Sequence, residues 1–169
     1  KEHNLGKFQS KLQSGIQIRF DATENSELSR TRDRTIVTSP IQKGHIRELN
    51  AGIFAEEIIK FSSALDLTVG IRGDYFTNSY ADMLNASKLS SSSFIASPKL
   101  NFDYRLNKNV HLYWHNGQGF HSNDTRVAVQ QNGREVVTPA WGSDLGVVLK
   151  LGDKAVLQSA FWYLWLAQE

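Results

Sequence analysis

The sequence predicts an all-β fold, an antiparallel up-and-down meander of long strands, on three observations. Hydrophobic and polar side chains alternate along most of the 169 residues, and a period of two places them on opposite faces of strands. No window shows a comparable helical period. Short polar turns recur at a constant interval between the alternating segments. Together these patterns predict seven strands, at about 7–21, 47–60, 64–77, 94–106, 109–120, 140–151 and 154–169.

The first three strands follow from their apolar parities. Between 8 and 20 the even positions are mostly apolar, and the odd positions are three glutamines, a lysine, a glycine and an arginine. The stretch 54–61 is the nearest approach to a helical pattern, but it continues an alternation that begins near residue 49. Between 65 and 71 the odd positions are Leu, Leu, Val and Ile, whereas the even positions are polar or glycine.

The last four strands show the same alternation, most clearly over 98–106 and 145–151. Their length is unusual, because strands in globular proteins average about 5–6 residues. The longest uninterrupted apolar run is 161–167. A transmembrane helix needs about 20 apolar residues, so this run is predicted to be a strand.

The connections alternate between short and long. Three short turns are centred near 62, 107 and 152, which gives a repeat of 45 residues. Three long polar loops are predicted at about 22–46, 78–93 and 121–139. In the third loop, the dipeptide 132–133 is Asn-Gly between two valine-rich segments and predicts a small hairpin. Short turns at one rim and long loops at the other are typical of bacterial outer-membrane barrels.

The two strand faces have opposite chemistry. An apolar parity exposed to water along several strands would cause aggregation, so it must meet a second sheet, a barrel interior or lipid. The other parity carries charges of both signs, which favours a barrel with an outer apolar band and a water-filled interior. Long strands and aromatic residues near the ends of the apolar runs favour the same arrangement. Two alternatives stay open: a soluble barrel with an apolar cavity, and ordinary core aromatics.

Composition argues against several function classes. Lys plus Arg is 19 and Asp plus Glu is 17, a net charge of +2, which does not predict a nucleic-acid partner. There is no cysteine, so thiolate chemistry is excluded. His111 and His115 are four strand residues apart, about 13 Å, which we interpret as too far for shared metal binding. No nucleophile and base are spaced for catalysis, so we expect neither an enzyme nor a cofactor or metal.

Four sequence motifs carry a family resemblance. Residues 97–100 read Ser-Pro-Lys-Leu, and 112–124 read LYWHNGQGFHSND, containing Gly-x-Gly-Phe. Residues 67–75 read LTVGIRGDY, and 15–21 read GIQIRFD. In this order and spacing the chain, from about 12 to 169, resembles the barrel of TonB-dependent outer-membrane receptors.

The resemblance implies part of a large transmembrane β-barrel of about 22 strands closed by an N-terminal plug. It further implies active, TonB-energised uptake of a scarce nutrient such as a metal chelate, in the bacterial outer membrane. Residues 1–169 are then a middle-to-late barrel segment without plug, unable to transport alone. Its partners would be outer-membrane lipid, the remaining barrel and plug, TonB and an unknown small-molecule ligand. The candidate ligand-binding residues on the inner wall or loops are Arg72, Asp74, Asp103, His121 and Arg126.

Two other functions remain open. A complete small outer-membrane barrel of about eight strands would have a structural or adhesion role, and would need an additional strand near 35–38. A soluble ligand-binding β-barrel would act as a carrier. A detergent requirement and a strand count would separate these possibilities from the receptor fragment.

Overall fold

The computed structural model describes residues 1–130 and 136–167. It confirms the antiparallel up-and-down meander, since every strand of one sheet is hydrogen-bonded to the next strand in sequence order. The elements are β1 (Glu2–Leu5), β2 (Phe8–Arg32), β3 (Ile36–Lys60), β4 (Leu65–Asp82), β5 (Ser87–Asn107), β6 (Val110–Ser122), α1 (Thr125–Gln130), β7 (Val137–Leu151) and β8 (Ala155–Leu166).

The prediction of seven strands was wrong, because the described residues form eight. The additional strand is β1, which has four residues and is too short to show an alternation. The segment 35–38 does not form a separate strand, since β3 begins at Ile36. Within the described residues β1 pairs only with β2 and β8 only with β7, so the sheet is open.

The predictions of two of the three long loops are also wrong. Residues 22–46 continue β2 and β3 up to a tight turn at 33–35, where Asp33 and Arg34 have φ of 54° and 61°. Residues 78–93 continue β4 and β5 to a turn at 83–86. There the Asp82 carboxylate accepts a hydrogen bond from the Leu84 amide at 2.8 Å. Backbone pairing continues through these polar segments, because a ladder needs no apolar face.

The third long connection contains a helix where a strand was predicted. Residues 127–129 belong to α1, while the Asn-Gly pair at 132–133 lies outside the described residues. The Asp124 carboxylate caps the helix by accepting a hydrogen bond from the Arg126 amide at 2.9 Å. A small core surrounds α1: Ile95, Ala128, Val136 and Val137, with Phe76 and Phe120 packed against it. No helix in the described part of the chain is long and apolar enough to cross a membrane.

The sheet has two chemically distinct faces, as predicted. We call the face that carries Asn78, and against which α1 packs, the inner face, and the opposite one the outer face. The strand registers place the predicted apolar parity on the outer face, where many side chains are exposed rather than enclosed. Examples, with their exposed fractions, are Ile16 75%, Ile18 70%, Phe20 63%, Ile53 63%, Ile71 58% and Leu145 58%.

Aromatic residues mark the limits of this apolar surface. Tyr75, Trp141 and Trp165 each lie ten residues from the strand end next to a short turn. At the other limit Phe8 and Phe61 stack with ring centroids 4.4 Å apart. Trp114 departs from the predicted placement near the ends, because it lies near the middle of the surface on β6. The arrangement matches the aromatic girdles that flank the apolar band of membrane barrels.

One carboxylate interrupts the outer face. Glu57 lies directly opposite the outward side chains of Leu12 and Val69. It accepts a hydrogen bond from the Ser10 hydroxyl, and its Oε1 lies 3.3 Å from His3 Nε2. A charge on an apolar surface is costly unless it has such partners, and β1 and β2 supply both.

Candidate functional site

The inner face is the candidate functional surface, because it collects the polar side chains of neighbouring strands. Its charges are paired locally. Lys99 on β5 contacts Glu56 on β3, and Arg105 Nη1 lies 2.8 Å from Asp66 Oδ2. Such a wall presents both signs of charge to water and pairs charges across the strands of the sheet.

Arg72 and Asp74 form the most buried of these pairs. They lie two residues apart on β4 and therefore share the inner face. Arg72 Nε and Nη2 donate to the two Asp74 carboxylate oxygens at 2.6 and 2.7 Å, and Asn50 Nδ2 donates at 3.1 Å. Asp74 is fully buried and the Arg72 side chain is 29% exposed. The two candidate ligand-binding residues, Arg72 and Asp74, are therefore hydrogen-bonded to each other.

Asp103 connects the two histidines that the sequence separates. The Asp103 Oδ1 atom lies 3.2 Å from His111 Nε2 and 3.3 Å from His115 Nε2. The sequence-based interpretation concerned a shared metal ion, and the approach of both imidazoles to one carboxylate oxygen was not predicted. Spacing along a strand fixes the Cα atoms, whereas flexible side chains can converge on a residue of the next strand.

Helix α1 connects the β6–β7 segment to the inner face near one rim. Thr125 is 1% exposed and accepts a hydrogen bond from Asn78 Nδ2 at 2.7 Å, while its hydroxyl donates to the Glu48 carboxylate. Because β3, β4 and α1 all contribute, this contact holds α1 against the wall. Helix α1 therefore covers part of the inner face.

The remaining two candidates, His121 and Arg126, lie at the same rim. His121 is an exposed residue near the end of β6. Arg126 Nε and Nη2 donate to Asp124 at 3.0 and 2.6 Å, and its side chain is 25% exposed. The hydrogen bonds from Arg126 hold the pKa of Asp124 below its ordinary value. The structure therefore brings Arg126 and His121 near one edge, apart from the Asp103 cluster.

The β2–β3 hairpin extends past the apolar surface and carries further ion pairs. Glu24 contacts both Arg47 and His45. Lys43 Nζ lies 3.1 Å from Glu27. The hydrogen bond from Arg47 is the main cause that lowers the pKa of Glu24. These pairs link β2 and β3 in the part of the hairpin that extends past the apolar surface.

The described residues contain no group of three acidic, histidine or cysteine side chains that fits a metal ion. The inner face instead carries polar side chains that are hydrogen-bonded or ion-paired to their neighbours. Sequence reasoning missed Glu48, Asn50, Asn78 and Thr125. The parity of each strand would have indicated Asn50 and Asn78, since they stand at polar positions that alternate with the apolar ones, but nothing local indicates that Thr125 folds against Asn78.

A run of antiparallel strands with an exposed apolar face and a charge-paired opposite face is the wall of a transmembrane-type β-barrel. The chain belongs to the TonB dependent receptor-like, beta-barrel family, whose model matches residues 2–143. That match confirms the resemblance derived from the motifs. None of the curated proteins matches the chain.

Solved structures share this fold. The ferric citrate transporter FecA, in its unliganded form, superposes with a TM-score of 0.83 and 15% identity, over 98% of this chain and 26% of that one. The ferric-catecholate import receptor Fiu from E. coli K12 gives a TM-score of 0.69 and 14% identity in its closed form, over 95% and 29%. The chain therefore spans between a quarter and a third of the length of these proteins.

Proposed function

We propose that residues 1–169 are part of the barrel wall of an outer-membrane receptor that takes up a scarce nutrient, such as a metal chelate, with energy delivered through TonB. The segment is not competent for transport alone, because eight strands in an open sheet do not enclose a passage. The rest of the barrel, a plug, TonB, outer-membrane lipid and a small-molecule ligand are its partners.

The arrangement of the two faces carries this proposal. Exposed aliphatic side chains such as Ile16 and Ile71 suit hydrocarbon, since their burial in lipid removes them from water. Paired charges such as Lys99 with Glu56 suit a water-filled interior. Membership of the receptor family, and the likeness of the fold to an iron transporter, support iron chelates as the nutrient class.

Among the candidate residues, we assign ligand contact to His121 and Arg126. His121 is exposed and Arg126 is partly exposed at the rim where α1 covers the inner face. Arg72, Asp74 and Asp103 bind neighbouring side chains, so we assign them to holding the wall together.

Uptake of radiolabelled iron tests the transport function. Cells that express the intact receptor receive ferric citrate or an iron–catecholate complex as the sole iron source, with or without functional TonB. We expect TonB-dependent uptake of at least one chelate. Uptake that persists without TonB would contradict the mechanism, and no uptake of either chelate would contradict the nutrient class.

The ligand contacts are tested in the same cells with His121→Ala and Arg126→Gln. Each should raise the half-saturating chelate concentration several-fold. Lys150→Gln is the matched control, since Lys150 is an exposed inner-face cation next to the short turn after β7. An equal effect of Lys150→Gln would contradict the assignment of ligand contact to His121 and Arg126.

A further inference from the structure

Four glycines on the inner face each lie beneath a large side chain of the neighbouring strand. A Cβ atom added at any of them would approach that side chain more closely than real contacts allow. The pairs are Gly15 with Phe54, Gly52 with Arg72, Gly70 with Lys99, and Gly146 with Tyr113.

The aromatic pairs show the geometry most clearly. A Cβ on Gly146 would lie 2.7 Å from Tyr113 Cε1, so the ring lies flat over the glycine. Tyr113 is only 8% exposed, and its hydroxyl accepts a hydrogen bond from Gln158 Nε2 at 3.2 Å. A Cβ on Gly15 would lie 2.7 Å from Phe54 Cε1 in the same way. These rings therefore lie along the wall instead of projecting from it.

The charged pairs follow the same pattern. A Cβ on Gly70 would lie 2.8 Å from Lys99 Cε, on the path by which Lys99 reaches Glu56. A Cβ on Gly52 would lie 3.0 Å from Arg72 Cζ, beneath the guanidinium that binds Asp74. The missing side chain lets both cations fold back onto the wall.

Backbone conformation does not require these glycines. Only Gly6 and Gly152 have positive φ among the glycines of the described residues, and both lie in turns. The four therefore occupy conformations that other residues adopt readily. Gly142 is also on the inner face, but its nearest neighbour is a backbone oxygen 4.0 Å from an added Cβ. What the four share is the large side chain above them.

We propose that these glycines are positioning residues that set the free width of the receptor's passage, by letting large side chains lie flat. The proposal rests on the proposed function, since it assigns the inner face to a passage. An alanine at such a position drives the overlying side chain into the interior. The passage therefore narrows because the overlying side chain is displaced, not because a methyl group is added.

The position of the displaced ring is tested first, with Gly146→Ala in the intact receptor in lipid vesicles. Tetranitromethane nitrates accessible tyrosines, and peptide mass spectrometry measures Tyr113 separately. We expect nitration of Tyr113 to rise at least five-fold, whereas the control Gly142→Ala leaves it unchanged. A folded Gly146→Ala protein that nitrates at the original rate would overturn the proposal.

The width of the passage is tested with a thiol probe, which works without knowledge of the ligand. Residues 1–169 contain no cysteine, and Ala160 is exposed on the inner face directly opposite Gly146. Ala160→Cys, with any other cysteines of the receptor removed, reacts with N-ethylmaleimide and with a bulky polyethylene-glycol maleimide. Adding Gly146→Ala should lower the ratio of bulky to small reagent rates several-fold. An unchanged ratio would mean that Gly146 affects only the packing of Tyr113 and not the width of the passage, which would overturn the proposal.

If Gly146→Ala fails to fold, Gly70→Ala replaces it, because the flexible end of Lys99 moves more easily than a ring. Acetylation of the Lys99 amine by a water-soluble ester should then become several-fold faster than in the parent protein. An unchanged rate in the folded variant would overturn the proposal. Nitration, maleimide labelling and acetylation need no iron. They therefore test the role of the glycines even in a receptor that imports neither chelate.

Discussion

Ile71→Arg is the most direct test of which face meets lipid. On β4 the apolar surface runs from Leu65 to Tyr75, ten residue steps. At about 3.4 Å per residue and a tilt of about 40°, these steps rise about 26 Å, close to the apolar band of membrane barrels. Ile71 is one step from the midpoint, about 3 Å from the bilayer midplane, and is 58% exposed on the outer face.

An arginine at the midplane of the lipid face costs about 2–4 kcal/mol, which shifts the unfolding equilibrium about 30- to 700-fold. Ile71 is preferable to Val69, because Glu57 lies directly opposite Val69 and would pair with the new cation. The matched control is Thr68→Arg, three positions earlier on the same strand but on the inner face between Ile58 and Asn101.

The assay is urea unfolding of the intact receptor in phosphatidylcholine vesicles, followed by tryptophan fluorescence. We expect Ile71→Arg to lose about 2–4 kcal/mol. Thr68→Arg should lose less than about 1 kcal/mol, because its charge reaches water. Equal losses, or a larger loss for Thr68→Arg, would refute the assignment of the two faces.

Three further predictions concern the inner wall and its rim. Arg72→Met leaves the fully buried Asp74 carboxylate without its cation and should cost about 3 kcal/mol, whereas Asp74→Asn should cost about 1 kcal/mol in the same assay. Thr125→Val removes both hydrogen bonds of its hydroxyl, so hydrogen exchange in α1 should accelerate while the strands stay protected; unchanged exchange would contradict the anchoring role. The pKa of Asp124 is lowered by Arg126, so its stabilisation of α1 is present above the ordinary carboxyl pKa of about 4 and is lost as the pH falls through the lowered value. Hydrogen exchange of α1 between pH 6 and pH 3 should show this loss, and Arg126→Gln should move it to higher pH.

The two faces of each strand were predictable because the alternation of apolar and polar residues can be followed directly along the sequence. Ile16, Ile53 and Ile71 each stand at a position whose parity faces away from the charged wall. That information is local, since each strand separates its own side chains between two faces. The three short turns near 62, 107 and 152 were predictable for the same reason. For example, the Asn107 side chain accepts hydrogen bonds from the Asn109 and Val110 amides at 2.8 and 3.0 Å.

The lengths of the strands were not predictable from the same signal. Residues 22–46 and 78–93 have no sustained alternation, because polar residues predominate at both parities where the sheet passes beyond the apolar surface. Their backbones pair nevertheless, as in Glu27 opposite Lys43. Helix α1 was missed because its six residues cover less than two turns and show no helical period.

The all-β class, the two strand faces and the family resemblance follow from the amino-acid sequence alone, since period-two patterning and short motifs need no knowledge of neighbouring strands. The strand register follows only from the folded sheet, and it brings His111 and His115 to Asp103, Thr125 to Asn78, and Tyr113 over Gly146. These contacts join residues that are distant in the chain. Each depends on how one strand aligns with the next, which no single strand encodes.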